Sequence, residues 1–190
     1  MALQIRQTMT AAAFDEWVRL PENSERRFER IAGEVVEVVS NALAARIAFR
    51  IGGFLFVYLQ QHDIGTATGA DGGYQVGGER YIPDVGFIRY ERQTGDDTAA
   101  YYPAAPDLAV EVISNPRNET EMRDLRLKIA GYTAAGTTIW IVDPFARTVE
   151  VYQPGQSART LDEDGTLDGG ELLPGFQIRV GDVFPPEADV

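Results

Sequence analysis

Apolar residues recur at two periods along this chain, and the alternation of helical with strand-like spacing predicts an α/β protein. Over residues 10–19, Phe14, Trp17 and Val18 fall at helical spacing behind Thr10, whose hydroxyl can cap a first turn. RFERI and EVVEVV flank Ala32-Gly33 as the arms of a hairpin. Residues 41–61 carry the strongest helical pattern, opened by Asn41 and apolar at Leu43, Ile47, Ile51, Leu55 and Leu59. Gly52-Gly53 weaken its middle by about 1 kcal/mol each, and would let another element pack closely.

The strand-like period dominates the rest. Short β-like pieces separated by glycines run from Gly65 to Ile88 and end in YIPDVGFI (81–88), read as one strand. Residues 91–106, with Gly95-Asp96-Asp97 and two prolines, read as a mobile loop. PDLAVEVIS (106–114) reads as a buried central strand, and a helix follows Asn115-Pro116 as far as about Ala135. Its apolar stripe is Met122, Leu125, Ile129 and Tyr132, and Gly136 ends it. TIWIVDP and RTVEVYQP are two further strands joined at Asp143-Pro144, and TLDEDGTLDGGELLPGF predicts short edge strands and turns. The order predicts an α/β (α+β) fold, a mixed β-sheet flanked by helices with additional hairpins. An exposed apolar TIWIVDP–RTVEVYQP pair would suit a twin subunit, so a homodimer is expected.

Composition narrows this picture. At 190 residues, 44% apolar and 24% charged, the chain suits one domain with a hydrophobic core. No run reads as the roughly 18–20 apolar residues of a membrane span, and MALQIRQTMT lacks the features of a signal peptide, so a cytoplasmic protein without membrane contact is expected. Zero cysteines exclude disulfides and thiolate catalysis, and His62 is the only imidazole. The net charge of −12 argues against coating a polyanion with the whole surface. The charge is uneven: residues 155–190 hold two Arg against eight acids, whereas residues 1–62 balance seven with seven. A nucleic-acid contact would therefore fall on Arg26, Arg27 and Arg30, on Arg46 and Arg50, or on Arg117, Arg123 and Arg126. Each can equally be the partner of a nearby acid.

Lys128 is the only lysine beside sixteen arginines. A compact ammonium on a flexible stem is not interchangeable with a guanidinium at a reaction centre, although rarity alone does not make a site. It lies about 60° to one side of the helix's apolar stripe. Glu111 stands alone inside L-A-V-E-V-I, where an unpaired charge costs several kcal/mol unless it meets a cavity, a cation or water. Asp84 follows Pro83 at a strand start, as a ligand or as a turn residue. Asp107, four residues before Glu111, is either a further ligand or the polar beginning of the strand. Two strands with one carboxylate each would suit Mg²⁺, which commonly takes only one or two protein carboxylates.

PD…E-x-x, with RFERIAGEVVEV before it and K-x-x-x-Y-x-x-x-G and TIWIVDPFARTVEVY after it, resembles the Uma-type restriction endonuclease family of the PD-(D/E)XK nuclease superfamily. GTATGADGGYQV and LPGFQIRVGDVF extend the resemblance over about residues 14–184. It implies metal ligation by Asp84, Glu111 and the backbone carbonyl of Val112, with Mg²⁺ or Mn²⁺ as cofactor and nucleic acid, DNA foremost, as partner. Ile113 stands where the superfamily usually has its lysine, and Lys128 matches a migrated position on the following helix. Glu29 matches an accessory acid. A histidine frequent in the family is absent, with Ala44 near its place. The implied activity is metal-assisted phosphodiester hydrolysis; the alternative is a catalytically inactive nuclease-fold module that binds or dimerises.

Overall fold

The computed structural model of the chain describes residues 7–93 and 98–186. In chain order its elements are α1 (Ala11–Trp17), β1 (Phe28–Ile31), β2 (Glu34–Glu37), α2 (Ala42–Leu59), β3 (Gly65–Gly69), β4 (Gly73–Val76), β5 (Glu79–Tyr81) and β6 (Val85–Arg89). There follow β7 (Tyr101–Tyr102), β8 (Leu108–Val112), α3 (Glu119–Ala134), β9 (Thr138–Asp143), β10 (Thr148–Tyr152), β11 (Arg159–Leu161), β12 (Thr166–Asp168) and β13 (Gln177–Arg179). Each helix starts at a side chain that satisfies an orphan amide. Thr10 accepts from Ala13 N–H, Asn41 from Ala44 N–H, and Asn118 from the amides of Thr120 and Glu121. Between β1 and β2, Ala32 and Gly33 both take positive φ, the geometry of a two-residue hairpin turn.

The central sheet has six strands in the order β11-β10-β9-β8-β6-β3. Only β8 and β9 run parallel in it, and α3 is the crossover that a parallel pair requires. A five-stranded sheet, β2-β1-β5-β4-β7, lies on one side, and β12 pairs with β13 separately. Strand alternation sorts β8 between two cores. Leu108, Val110 and Val112 join α2 in one, while Ala109 and Ile113 join Tyr132 and the five-stranded sheet in the other. Glu111 lies between Ala109 and Ile113, so period two points it into the second core.

Three sequence expectations change here. YIPDVGFI is two strands in different sheets, not one: Tyr81 ends β5 and Val85 begins β6. Pro83 has no N–H to give to a ladder, so the chain leaves one sheet there and Asp84 falls at the crossing. The apolar residues of β9 and β10 are not an exposed surface: Ile139, Trp140, Ile141, Val142, Val149 and Val151 are all buried within the chain. β9 lies between two neighbours with a core on each face, and the outer face of β10 carries Thr148, Glu150 and Tyr152, so neither offers a broad apolar side to a twin subunit. Finally, α2 has 18 residues at a mean hydropathy of 1.6, long and apolar enough to cross a membrane by length and composition. Ala44, Ile47, Ala48, Ile51, Leu55 and Tyr58 are buried in the chain's own core.

Gly95-Asp96-Asp97, within the expected loop, lie outside the described residues, but Tyr101–Tyr102 form β7 and the Tyr101 hydroxyl donates to the Phe28 carbonyl. The two sheets meet closely at Gly86 on β6. A Cβ there would lie 2.6 Å from Tyr74 Cε2 and 2.9 Å from Thr68 Oγ1, which shares a 2.9 Å hydrogen bond with the Tyr74 hydroxyl. Gly86→Ala is expected to cost about 1–3 kcal/mol, the scale of overpacking, measured by urea denaturation. An unchanged midpoint would mean that Tyr74 is not held against β6.

Candidate active site

Strands β1 and β8, helix α3 and the β5–β6 crossing converge on a cleft of about 300 Å³. β1 supplies Glu29, whose Oε1 accepts from Ile82 N–H at 2.6 Å. The crossing supplies Asp84, whose Oδ2 accepts from Val112 N–H at 2.7 Å. β8 supplies Glu111, and α3 supplies Lys128 and Tyr132. The Lys128 ammonium stands 2.7 Å from carboxylate oxygens of both Glu29 and Glu111, and the Tyr132 hydroxyl donates to Glu111 at 3.1 Å. Of the residues expected from the sequence, the structure brings Asp84, Glu111, Lys128 and Glu29 together at this cleft. Sequence reasoning read Tyr132 as mere apolar packing; the signal for more was its spacing of four from Lys128, which puts both on one helix face.

Which face α3 buries differs from expectation. The fully buried positions are Asp124, Lys128 and Tyr132, whereas Met122, Leu125 and Ile129 are only partly covered. Glu111 explains the rotation. A carboxylate fixed in an apolar row of β8 must be matched, and α3 turns its hydrogen-bonding side toward it. Tyr81 supports the arrangement, its ring 5.1 Å from that of Tyr132 and 5.9 Å below the ammonium.

Three carboxyl groups, Glu29, Asp84 and Glu111, share one ammonium, a surplus of two negative charges when all are ionised. Burial raises Glu111 to about 8, against the pull of Lys128 and with a further push from Glu29 and Asp84. Burial also raises Asp84, opposed by its bond from Val112 N–H. For Lys128 burial acts downward, but Glu111 and Glu29 outweigh it and hold the ammonium above the ordinary lysine value. Tyr132 is raised by burial and then by Glu111, so it remains a donor.

Other expected residues stand elsewhere. Asp107 shares Glu111's strand face but lies about 13 Å along the strand by four-residue spacing. It accepts from the Arg89 amide at 2.9 Å and from Arg92 at 2.9 Å, and it does not line the cleft. Arg26 pairs with Glu37 at 2.6 Å, Arg27 with Asp71, and Arg30 with Glu79 at 2.8 Å. Arg117 is exposed in the turn before α3. Ala44 is buried in the α2 core rather than lining the cleft. Glu121, not foreseen, fixes the end of β8 by accepting from the amides of Ser114 and Asn115 at 3.0 and 3.1 Å.

The donor set suits a hard divalent cation held by few protein ligands. Asp84 and Glu111 present oxygens to the same cleft, and their surplus charge is what a cation would neutralise. Among the described residues no three His, Cys, Asp or Glu side chains are grouped to hold a metal, so the fit is to a two-carboxylate site and not to a closed cage.

The family model described as "Putative restriction endonuclease" (Uma2) matches residues 14–181. The fold is similar to the crystal structure of a putative nuclease belonging to DUF820 from Anabaena variabilis. The TM-score is 0.76 at 21% identity, over 93% of this chain and 97% of that one. No curated protein matches the chain.

The Glu111 shift carries a sign. Its folded value lies above the ordinary 4.5, so the carboxyl contributes stability that is fully present below about pH 4.5 and lost as pH rises through about 8. In Glu111→Gln, which cannot ionise, urea-unfolding stability measured from about pH 5 to about pH 9 should fall less steeply than in the parent. Equal slopes would contradict a raised Glu111.

Proposed function

Because the chain belongs to the Uma2 family of putative restriction endonucleases, we propose that its cleft hydrolyses phosphodiester bonds, with DNA as substrate and a divalent cation as cofactor. The observation that carries this reading is the convergence of Asp84 and Glu111 on one cleft, with Lys128 bonded to Glu111. Asp84, Glu111 and the Val112 carbonyl would hold Mg²⁺ or Mn²⁺. When bound, such a cation polarises a phosphoryl oxygen and acidifies a water.

The chain's own residues supply the rest. Lys128 presents a fixed positive charge where negative charge builds on the phosphate, and a preset donor at that place needs no reorganisation during reaction. Glu29 positions Lys128, being anchored in turn by Ile82 N–H. Tyr132 holds Glu111 in the orientation in which it faces both the ammonium and the cleft. Glu121 holds the Ser114–Asn115 segment at the cleft wall.

Two observations favour the second reading, a non-catalytic nuclease-fold module. The position near which the family often carries a histidine is a buried alanine, and Glu37 and Glu121 add negative charge to the cleft lining. Metal binding and cleavage separate the two. Calorimetry should show Mn²⁺ binding by the parent and its loss in Asp84→Asn and in Glu111→Gln, with far-UV circular dichroism unchanged. The parent should nick supercoiled plasmid in Mg²⁺, and Lys128→Arg should do so at least ~100-fold more slowly, because a planar guanidinium cannot sit at the ammonium's point between two carboxylates. A parent that binds an oligonucleotide but cleaves neither DNA nor RNA in either metal would establish the module instead.

A further inference from the structure

The inner side of α2 is used by the core, but its outer side is apolar and uncovered among the described residues. Among the described residues, three of the seven exposed large hydrophobic side chains lie on it: Phe49 at 82%, Phe56 at 62% and Val57 at 61%. By helical geometry Phe49, Gly53 and Phe56 fall within about 60° of one another, with Val57 beside them. A Cβ on Gly53 would have nothing within 4 Å. Intrachain packing therefore does not require this glycine, although it costs about 1 kcal/mol in a helix interior. Bare backbone between two aromatics lets a second helix come close.

From this face, none of whose residues lines the cleft, we infer that two copies of the chain pair through α2, antiparallel about a two-fold axis at Gly53. Charge complementarity selects a second copy. The only charges on α2 are Arg46 and Arg50, both exposed in its N-terminal half. An antiparallel partner sets Arg46 opposite position 60 of the other copy, at the carbonyl end of the helix and just before Asp63. The same register sets Phe49 against the partner's Val57 and Arg50 against the partner's Phe56, an aromatic face that suits a guanidinium. Each contact occurs twice, as a two-fold interface requires. In a chain of net charge −12, an arginine-bearing apolar face is also where two copies repel least.

The chain has no cysteine, so Gly53→Cys puts a single thiol at the proposed axis, in open space. A disulfide needs Cα atoms about 4.4–6.8 Å apart, so mild oxidation should lock Gly53→Cys into a covalent dimer and leave Phe145→Cys, an exposed control, unlinked. Sedimentation equilibrium of the full chain should give twice the single-chain mass at micromolar concentration, and Phe49→Glu should weaken the association by roughly 30-fold or more, the scale of one lost hot spot. A parent that stays single-chain and does not crosslink at position 53 overturns the inference. So does a dimer that Phe49→Glu leaves intact and Gly53→Cys does not lock. Phe49-dependent sedimentation of a single-chain parent with anionic vesicles would assign the face to a lipid surface. Loss of oligonucleotide binding by a single-chain Arg46→Glu would assign it to nucleic acid. Either result equally overturns the pairing.

Discussion

One buried ammonium answers to more than one buried carboxylate, and the arrangement of this protein around its cleft follows from that. Taking an ion out of water costs several kcal/mol unless its partners are close and well aimed. Glu111 is committed to the interior by the alternation of β8, so α3 must bring Lys128 and Tyr132 to it. Lys128 must in turn be held by β1 through Glu29. The five-stranded sheet is tied to the same point, because Tyr81 packs beneath the ammonium and against α3 where Gly131 leaves room for it. A Cβ on Gly131 would stand 2.6 Å from the Tyr81 hydroxyl oxygen. Two sheets and a helix are thus locked through a group of residues that is still short of positive charge.

That shortage links the fold to chemistry. A purely structural ion pair would be balanced, whereas here Glu111 is pushed up to about 8 and Asp84 is raised as well, both by burial. Residues whose ordinary ionisation is suppressed in a cleft are what a functional site looks like before its ligand arrives. Of the arginines suggested for a polyanion, Arg26, Arg27 and Arg30 are each paired with an acid, so their charge is already answered within the chain. Arg46, Arg50 and Arg117 are exposed.

Local rules made much of this legible in the sequence. Thr10 and Asn41 begin helices because their side chains cap, and Ala32-Gly33 turns a hairpin between two β-like arms. Glu111 stood out because its neighbours are apolar, and Lys128 because arginine fills every other basic position. What was hidden depends on tertiary partners. Pro83 marks a strand boundary, but only the existence of two sheets makes it a crossing between them. Periodicity alone assigned Met122, Leu125, Ile129 and Tyr132 to the buried face of α3; Tyr132 is buried, but Glu111 across the gap draws Lys128 inward and leaves the other three half-buried. Asp107 has the right strand parity and the wrong distance, which parity cannot reveal. The apolar runs of β9 and β10 looked like surface because a sequence does not say how many faces of a strand are covered.

The function proposed for the cleft requires that Asp84 and Glu111 form a two-carboxylate cation site with Lys128 as its fixed charge. A crystal structure of the full chain soaked in Mn²⁺, with anomalous scattering, tests it most directly. The expected result is a peak in contact with both Asp84 and Glu111, with the Lys128 ammonium still bonded to Glu29. A cleft without such a peak at Mn²⁺ concentrations that occupy other sites, or a peak that touches neither carboxylate, would contradict it.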